Sequence, residues 1–411
     1  MKNIAVILFF LFLTITAHAQ KGQLDYYVTH AITNSPYIKD NQNQILSSRY
    51  DSLLLLASYK PQFSGNGLAS YAPVIKGWGY DEAITNGRNL NALFSVNRQI
   101  PNKKTLQSQF GSLQLQNQSL NNISRLTEQE LKRNITAQYI TAYADLQQLD
   151  FNKEISKLLS KEEIILKKLT QANVYKQVDY LTFLVILQQQ ELQVKQQSIQ
   201  YRNDLSTLNY LSGINDTSLV ELSNPMLTTN PLPDINNSVF LKQFEIDSLK
   251  LRNSMALVDI TYKPKFNIFA DAGYISSLKN TPYKNIGTSF GVNAVVPLYK
   301  SNQKKLEYSK IAIAERTRGN NKEYFTSQYR QQVAQLYQQL QATDELIRDI
   351  DKQLKYTQSL IEVNEKLLES GEAKITDFIL VLNNYITAKN LIAQNRISRL
   401  QIINQLNYWN R

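Results

Sequence analysis

The chain of 411 residues contains no cysteine. Disulfides, thiolate zinc sites, iron–sulfur clusters and cysteine nucleophiles are thereby excluded. Histidine is nearly absent: with only His18 and His30, a Ser-His-Asp triad has one candidate beyond the N-terminal segment. Glycine (13) and proline (10) are scarce, together under half of the ~12% they reach in average proteins. No glycine-rich phosphate loop and no cluster of metal-ligating residues stands out. Beyond residue 19, no apolar run approaches the about 18 residues of a transmembrane helix. These absences predict no enzyme activity, no cofactor and no metal. They also mean that a membrane location would require a β-barrel. What is plentiful is glutamine, with 38 residues. Together with the scarcity of breakers it favours long helices.

The N-terminus is different in kind. Lys2 precedes a continuous apolar run from Ile4 to Leu13, and Ala17-His18-Ala19 fits a small-x-small cleavage pattern. Residues 1–19 read as a secretory signal peptide, with Gln20 opening the mature chain. A membrane anchor is the other reading of such a run, but this one is too short to cross about 30 Å of hydrocarbon.

The mature chain repeats itself. Tyr59-Lys60-Pro61 recurs as Tyr262-Lys263-Pro264, offset by 203. Val178-Asp179-Tyr180-Leu181 resembles Thr376-Asp377-Phe378-Ile379, offset by 198, and Leu208-Asn209-Tyr210 recurs as Leu406-Asn407-Tyr408 at the same offset. Ile100-Pro101 likewise answers Val296-Pro297. Matches in one order at nearly one offset define two repeats, 20–212 and 236–411. Between them a connector, 213–235, carries Pro225, Pro231 and Pro233 and reads as irregular.

Both repeats have one layout. A first helix, about 24–57 (broken near Pro36) or about 236–259, leads into two strands with period-two alternation. In the second repeat Phe266, Ile268, Ala270, Ala272 and Tyr274 alternate with mostly polar residues, as do Phe290, Val292, Ala294 and Val296. The first repeat shows Leu90, Ala92, Phe94 and Val96 against Asn91, Ser95 and Asn97. The predicted strands are about 62–72, 89–100, 264–276 and 287–297. One apolar face, one polar face and about ten residues suit a tilted membrane strand. Tyr71, Trp78, Tyr80, Tyr274 and Tyr283 cluster near strand ends, as an interfacial girdle would. A soluble hairpin with loop aromatics has the same pattern.

The rest of each repeat is helix. Long helices are predicted over about 102–170 and 299–370, and return helices over about 178–212 and 375–409. Val333, Leu336, Leu340, Ile347, Ile350, Leu354 and Ile361 step in heptad register, and Ile135, Tyr139, Ala142, Leu146 and Leu149 step by 4 and 3. At 1.5 Å per residue each long helix would extend roughly 100 Å. Short links make each pair an antiparallel coiled-coil hairpin.

The repeat layout, the paired Tyr-Lys-Pro, the Val296-Pro297-Leu298-Tyr299 closing the last strand, Glu369-Ser370-Gly371 ahead of Ile375-Thr376-Asp377-Phe378, and the Leu-Asn-Tyr ending each repeat resemble the TolC family of outer-membrane efflux proteins. The resemblance covers essentially the mature chain. It implies a mainly α fold with a β-barrel contribution. In that fold a homotrimer gives four membrane strands per protomer to a 12-stranded barrel, continued by a 12-helix periplasmic tunnel. It implies an outer-membrane exit duct of a Gram-negative bacterium. Such a duct works with a periplasmic adaptor and an inner-membrane transporter and is bathed in outer-membrane lipid. Physical reasoning meets it at one point: four strands cannot close a barrel, which needs about eight.

The candidate aperture lies where the hairpins turn. Asp179 and Asp377 occupy equivalent places there and would make six carboxylates at one level in a trimer. Such a ring attracts cations; equally, an acid in a first helical turn simply complements the helix dipole. Gly371 serves the turn through positive φ. Family members ring the aperture with a second carboxylate, where this chain has Leu380. They tie it with a Tyr and an Arg, where it has Leu368 and Ala373. Charge adds little. Lys plus Arg is 45 against 34 acids, but the signs interleave along the helices, which argues for solvated faces and against nucleic acid. Lys103, Lys104, Lys300, Lys304 and Lys305 follow the strand ends, within reach of lipid phosphates. A periplasmic adaptor or scaffold protein also has long helical hairpins, and that is the alternative to the duct. The flanking lipoyl-like segments it would need are not seen.

Overall fold

The computed structural model describes residues 22–79, 88–230, 235, 238–278 and 281–410. The signal segment 1–19 and Tyr80 lie outside them. The elements run α1 Leu24–Asn34, α2 Pro36–Ser58, β1 Gln62–Tyr71, β2 Arg88–Ile100, α3 Lys103–Gln171 and α4 Gln177–Leu211. The second set is α5 Val239–Thr261, β3 Lys265–Ser276, β4 Ile286–Val295, α6 Gln303–Glu369 and α7 Ile375–Trp409. The break between α1 and α2 falls at Ser35, before Pro36, whose missing N–H and clash with the preceding turn forbid an unbroken helix. None of the described helices is long and apolar enough to cross a membrane.

Two boundaries differ from expectation. The last strand ends at Val295 rather than near 297, and the following helix begins at Gln303 rather than 299. Pro297 cannot donate to a strand ladder. Ser301 adopts φ 50°, a left-handed conformation that no helix tolerates. The chain thus spends seven residues turning.

By internal contacts the chain forms two compact units that cut across the sequence repeats. One contains the described parts of Met1–Asp40, Ser124–Val239 and Tyr324–Arg411; the other contains Asn41–Ile123 and Phe240–Glu323. The second unit holds a four-stranded antiparallel sheet in the order β1-β2-β3-β4. Both Tyr-Lys-Pro motifs end a helix in the same way. Tyr59 and Lys60 N–H donate to Leu56 and Ala57, and Tyr262 and Lys263 donate to Asp259 and Ile260. Proline then opens the strand.

The first unit carries the core. Ile135, Tyr139, Ala142, Leu146 and Leu149 are all buried, together with Tyr201, Leu205, Leu208 and Tyr27. In α6, Val333, Leu336, Ile350 and Ile361 are buried and Leu340, Ile347 and Leu354 half-buried, so the heptad register is the packing register. The connector is pinned to this core. Asn209 donates to the carbonyl of Asp216 at 2.8 Å, and Asn407 to that of Thr228 at 2.8 Å. The repeated Leu-Asn-Tyr thus has one job in both repeats. Its Leu enters the core and its Asn holds connector backbone.

Candidate functional site

Two regions carry the candidate residues: the hairpin tips in the first unit and the sheet in the second. The tips are built alike. Val174 N–H donates to Leu169 carbonyl at 2.9 Å, and Glu372 N–H to Leu367 carbonyl at 2.8 Å, the closing bond of a helix that ends in a left-handed residue. That residue is Asn173 (φ 61°) in one tip and Gly371 (φ 79°) in the other, at the repeat offset. Lys176 and Lys374 then precede α4 and α7 in extended conformation. Asp179 and Asp377 follow as third helical residues, Asp179 half-buried and Asp377 exposed.

The structure brings the two tips together. Tyr175 hydroxyl donates toward Ala373 carbonyl at 2.7 Å and lies 3.2 Å from that of Leu368. Gly371 holds φ 79°, which strains any side chain, and a Cβ there would lie 2.8 Å from the Val174 Cγ1, which would have to move aside. Phe183 and Phe378 are fully buried, with ring centroids 6.5 Å apart, inside a cluster that includes Leu159, Leu166, Leu368 and Leu382. Leu368 and Ala373 therefore act here through packing and main-chain carbonyls. Leu380 is exposed on α7.

Several polar residues that the sequence did not mark stand between helices of this unit. Glu162 on α3 is fully buried, and neither carboxylate oxygen has a hydrogen-bond partner among the described residues. Lys161 Nζ lies 3.5 Å from it and 3.0 Å from Glu369. Burial raises the Glu162 pKa; Lys161 opposes this, and Glu365 and Glu369 add to it. Further along, Gln138 of α3 donates to Asp204 of α4 at 3.0 Å, and Gln197 of α4 donates to Asp145 of α3 at 3.1 Å. Each glutamine also reaches the main-chain carbonyl of the same aspartate. The two spacings are both one heptad, so the clasps form a reciprocal pair. Burial, and then the adjoining Asp204 carboxylate, push the Asp145 pKa up to about 7. None of this has a motif, because it depends on the antiparallel register of two helices far apart in sequence.

The sheet register sorts the strand residues by face. Phe63, Val96 and Ala270 share one row, and Gly65, Phe94 and Ala272 the next. Ile268 pairs with Val292, and Ala270 with Phe290. All of these lie on one face, with Phe290 89% and Val292 67% exposed. The opposite face is mostly polar, with Ser64, Asn66, Asn91, Ser95, Asn97, Asn267, Asp271, Ser289 and Asn293, and has Leu68, Leu93, Phe269, Ile275 and Val295 among them. Of the aromatics, Tyr71 ends β1 and Tyr274 lies near the end of β3, while Trp78 and Tyr283 stand exposed in the two loops at that same edge. At the other edge Lys304 is held by Asp259 at 2.7 Å, and Lys300 stacks on Tyr262 at 5.2 Å. These two lysines are engaged within the protein.

No family model matches the sequence, and no curated protein matches it. Solved structures do match. CusC, described for conformational changes accompanying folding and transmembrane channel formation, is similar at TM-score 0.76 and 12% identity over 94% of this chain and 92% of its own. The outer membrane protein VceC of Vibrio cholerae is similar at TM-score 0.74 and 11% identity over 94% and 96%. The CmeC outer membrane channel of Campylobacter jejuni reaches TM-score 0.70 and 13% identity over 94% and 85%. The chain shares the fold of these proteins, the fold that its sequence resemblance implied.

Proposed function

We propose that the protein is an outer-membrane exit duct that works as a homotrimer. Three sheets close a 12-stranded barrel in lipid, and the helical hairpins form a periplasmic tunnel of 12 helices. The observation that carries this reading is the sheet. Its four strands leave one face apolar and exposed and the other mostly polar. In water that apolar face would be costly at roughly 25 cal/mol per Å². In a barrel it meets lipid, while the polar face lines water. The exposed aromatics at one sheet edge fit a headgroup-level girdle.

A conduit needs no chemical step, and so no cysteine or histidine; this chain has no cysteine and two histidines. Energy would come from an inner-membrane transporter, coupled through a periplasmic adaptor that grips the hairpin tips. There Asp179 and Asp377 form the aperture, and Gly371 permits its close-set turn.

The cysteine-free chain offers a direct test. Single cysteines replacing Val292 and Ile268, or Asn293 and Asn97, all exposed on their strands, are placed in the protein in native outer membranes. We expect the second pair to react with a water-soluble maleimide and the first pair only with a lipid-soluble one. Equal reaction of all four with the water-soluble reagent would overturn the barrel.

A further inference from the structure

Asp271 sits seventh of the twelve residues of β3, Lys265–Ser276. The register sets it opposite Ser95 of β2 and Ser289 of β4, and Ser95 opposite Ser64 of β1. One continuous row of the polar face thus reads Ser64, Ser95, Asp271, Ser289. Ser289 hydroxyl lies 3.4 Å from Asp271 Oδ2, and Asn66 donates to Ser95 at 3.1 Å. Among the described strand residues, this face carries just one other charge, Lys265, at the first residue of β3. Arg88 and Arg98 belong to the apolar face, near the ends of β2. No described cation is paired with Asp271 within 4.0 Å. The middle of this face therefore holds one negative charge, among hydroxyls and amides with Leu93 and Phe269 in the adjoining rows.

We propose that Asp271 gives the duct a preference for cations and cationic solutes at mid-barrel. This rests on the trimeric duct reading. Threefold symmetry sets three Asp271 carboxylates at one level, whatever the strand tilt. Strands ~4.8 Å apart and tilted ~40° give a 12-stranded barrel a backbone radius of about 12 Å. Side chains projecting inward bring the carboxylates within about 10 Å of the axis, comparable to the screening length at 0.1 M salt. Three such charges favour a monovalent cation over an anion at the axis by about fivefold or more. The flanking serines supply hydroxyls to a passing hydrated ion without adding charge. At about 1 M salt the screening length falls to ~3 Å, and the preference disappears.

The test is reversal-potential measurement on the purified full-length assembly in a neutral-lipid bilayer under a KCl gradient near ~0.1 M. We expect the wild type to favour K⁺, Asp271→Asn to lose most of that preference with conductance retained, and Asp271→Lys to invert it. Wild-type selectivity persisting in Asp271→Asn would overturn the proposal and place the preference elsewhere, for instance at Asp179 and Asp377. So would a preference undiminished in concentrated salt. A wild-type assembly that forms no conductance at all would contradict the duct reading itself, and is thereby distinguished from a failure of Asp271 alone. Asn is isosteric with Asp, and the assembly mass of each variant verifies that it has formed.

Discussion

The first hairpin, α3 with α4, and the second, α6 with α7, share a tip and differ in what joins their helices. Both tips end on a left-handed residue and restart at a lysine in extended conformation. Between the helices, the first hairpin uses the reciprocal clasps of Gln138 on Asp204 and Gln197 on Asp145. At the corresponding level the second uses ion pairs, Arg399 to Asp344 at 2.6 Å and Arg396 to Asp351 at 3.1 Å. The first set includes a carboxyl, Asp145, whose pKa burial raises; the second consists of half-exposed ion pairs of the kind that salt screens. The two repeats thus share the geometry that shapes the tip and differ in their lateral contacts.

The comparison can be broken in stages. The largest effect is expected where the repeats are equivalent. Phe183→Ala and Phe378→Ala should each cost about 3–5 kcal/mol, since both rings are fully buried in one cluster. Thermal melting of the detergent-extracted assembly would show it, and a large inequality would contradict the pairing of the tips. Next come the turns. Gly371→Val should cost about 1–3 kcal/mol, from positive φ and collision with Val174. Asn173→Gly should change stability by only a few tenths of a kcal/mol, being about equally at ease with positive φ.

Tyr175 is where symmetry fails, because its counterpart at the repeat offset is Ala373. Tyr175→Phe removes the bond to Ala373 carbonyl and should cost about 1 kcal/mol. It should also raise hydrogen exchange over 368–376 with little change elsewhere.

The smallest effect separates the lateral contacts. The Asp145 pKa is raised, so the folded state holds a proton that the unfolded state releases. Its contribution is complete below about pH 4 and is lost as pH rises toward about 7. Asp145→Asn should therefore flatten the pH dependence of exchange protection in α4 across that interval. Arg399→Ala, half-exposed, should cost under about 1 kcal/mol and lose its effect in high salt.

Much of the fold was legible because it is periodic. The heptads of Val333 to Ile361 and the alternation of Phe266 to Tyr274 follow from which face must be buried, and such patterns survive in a sequence read alone. Gly371 was legible for a related reason, since few residues accept positive φ. Its partner Asn173 was not picked out, although asparagine is the next most tolerant. The start of α6 was misjudged because Ser301 carries no signature of its left-handed backbone. Glu162, Tyr175 and the Asp145–Asp204 clasps were invisible for a deeper reason. Each depends on which turn of one helix faces which turn of another, a register set by the whole packed interface. The sheet row through Asp271 needed the strand pairing in the same way.

The central claim is that three chains close one barrel. Native mass spectrometry of the protein extracted from outer membranes in mild detergent tests it most directly. The account predicts a single species at three times the mass of one mature chain. A monomer or dimer, or recovery in the soluble periplasmic fraction, would contradict it.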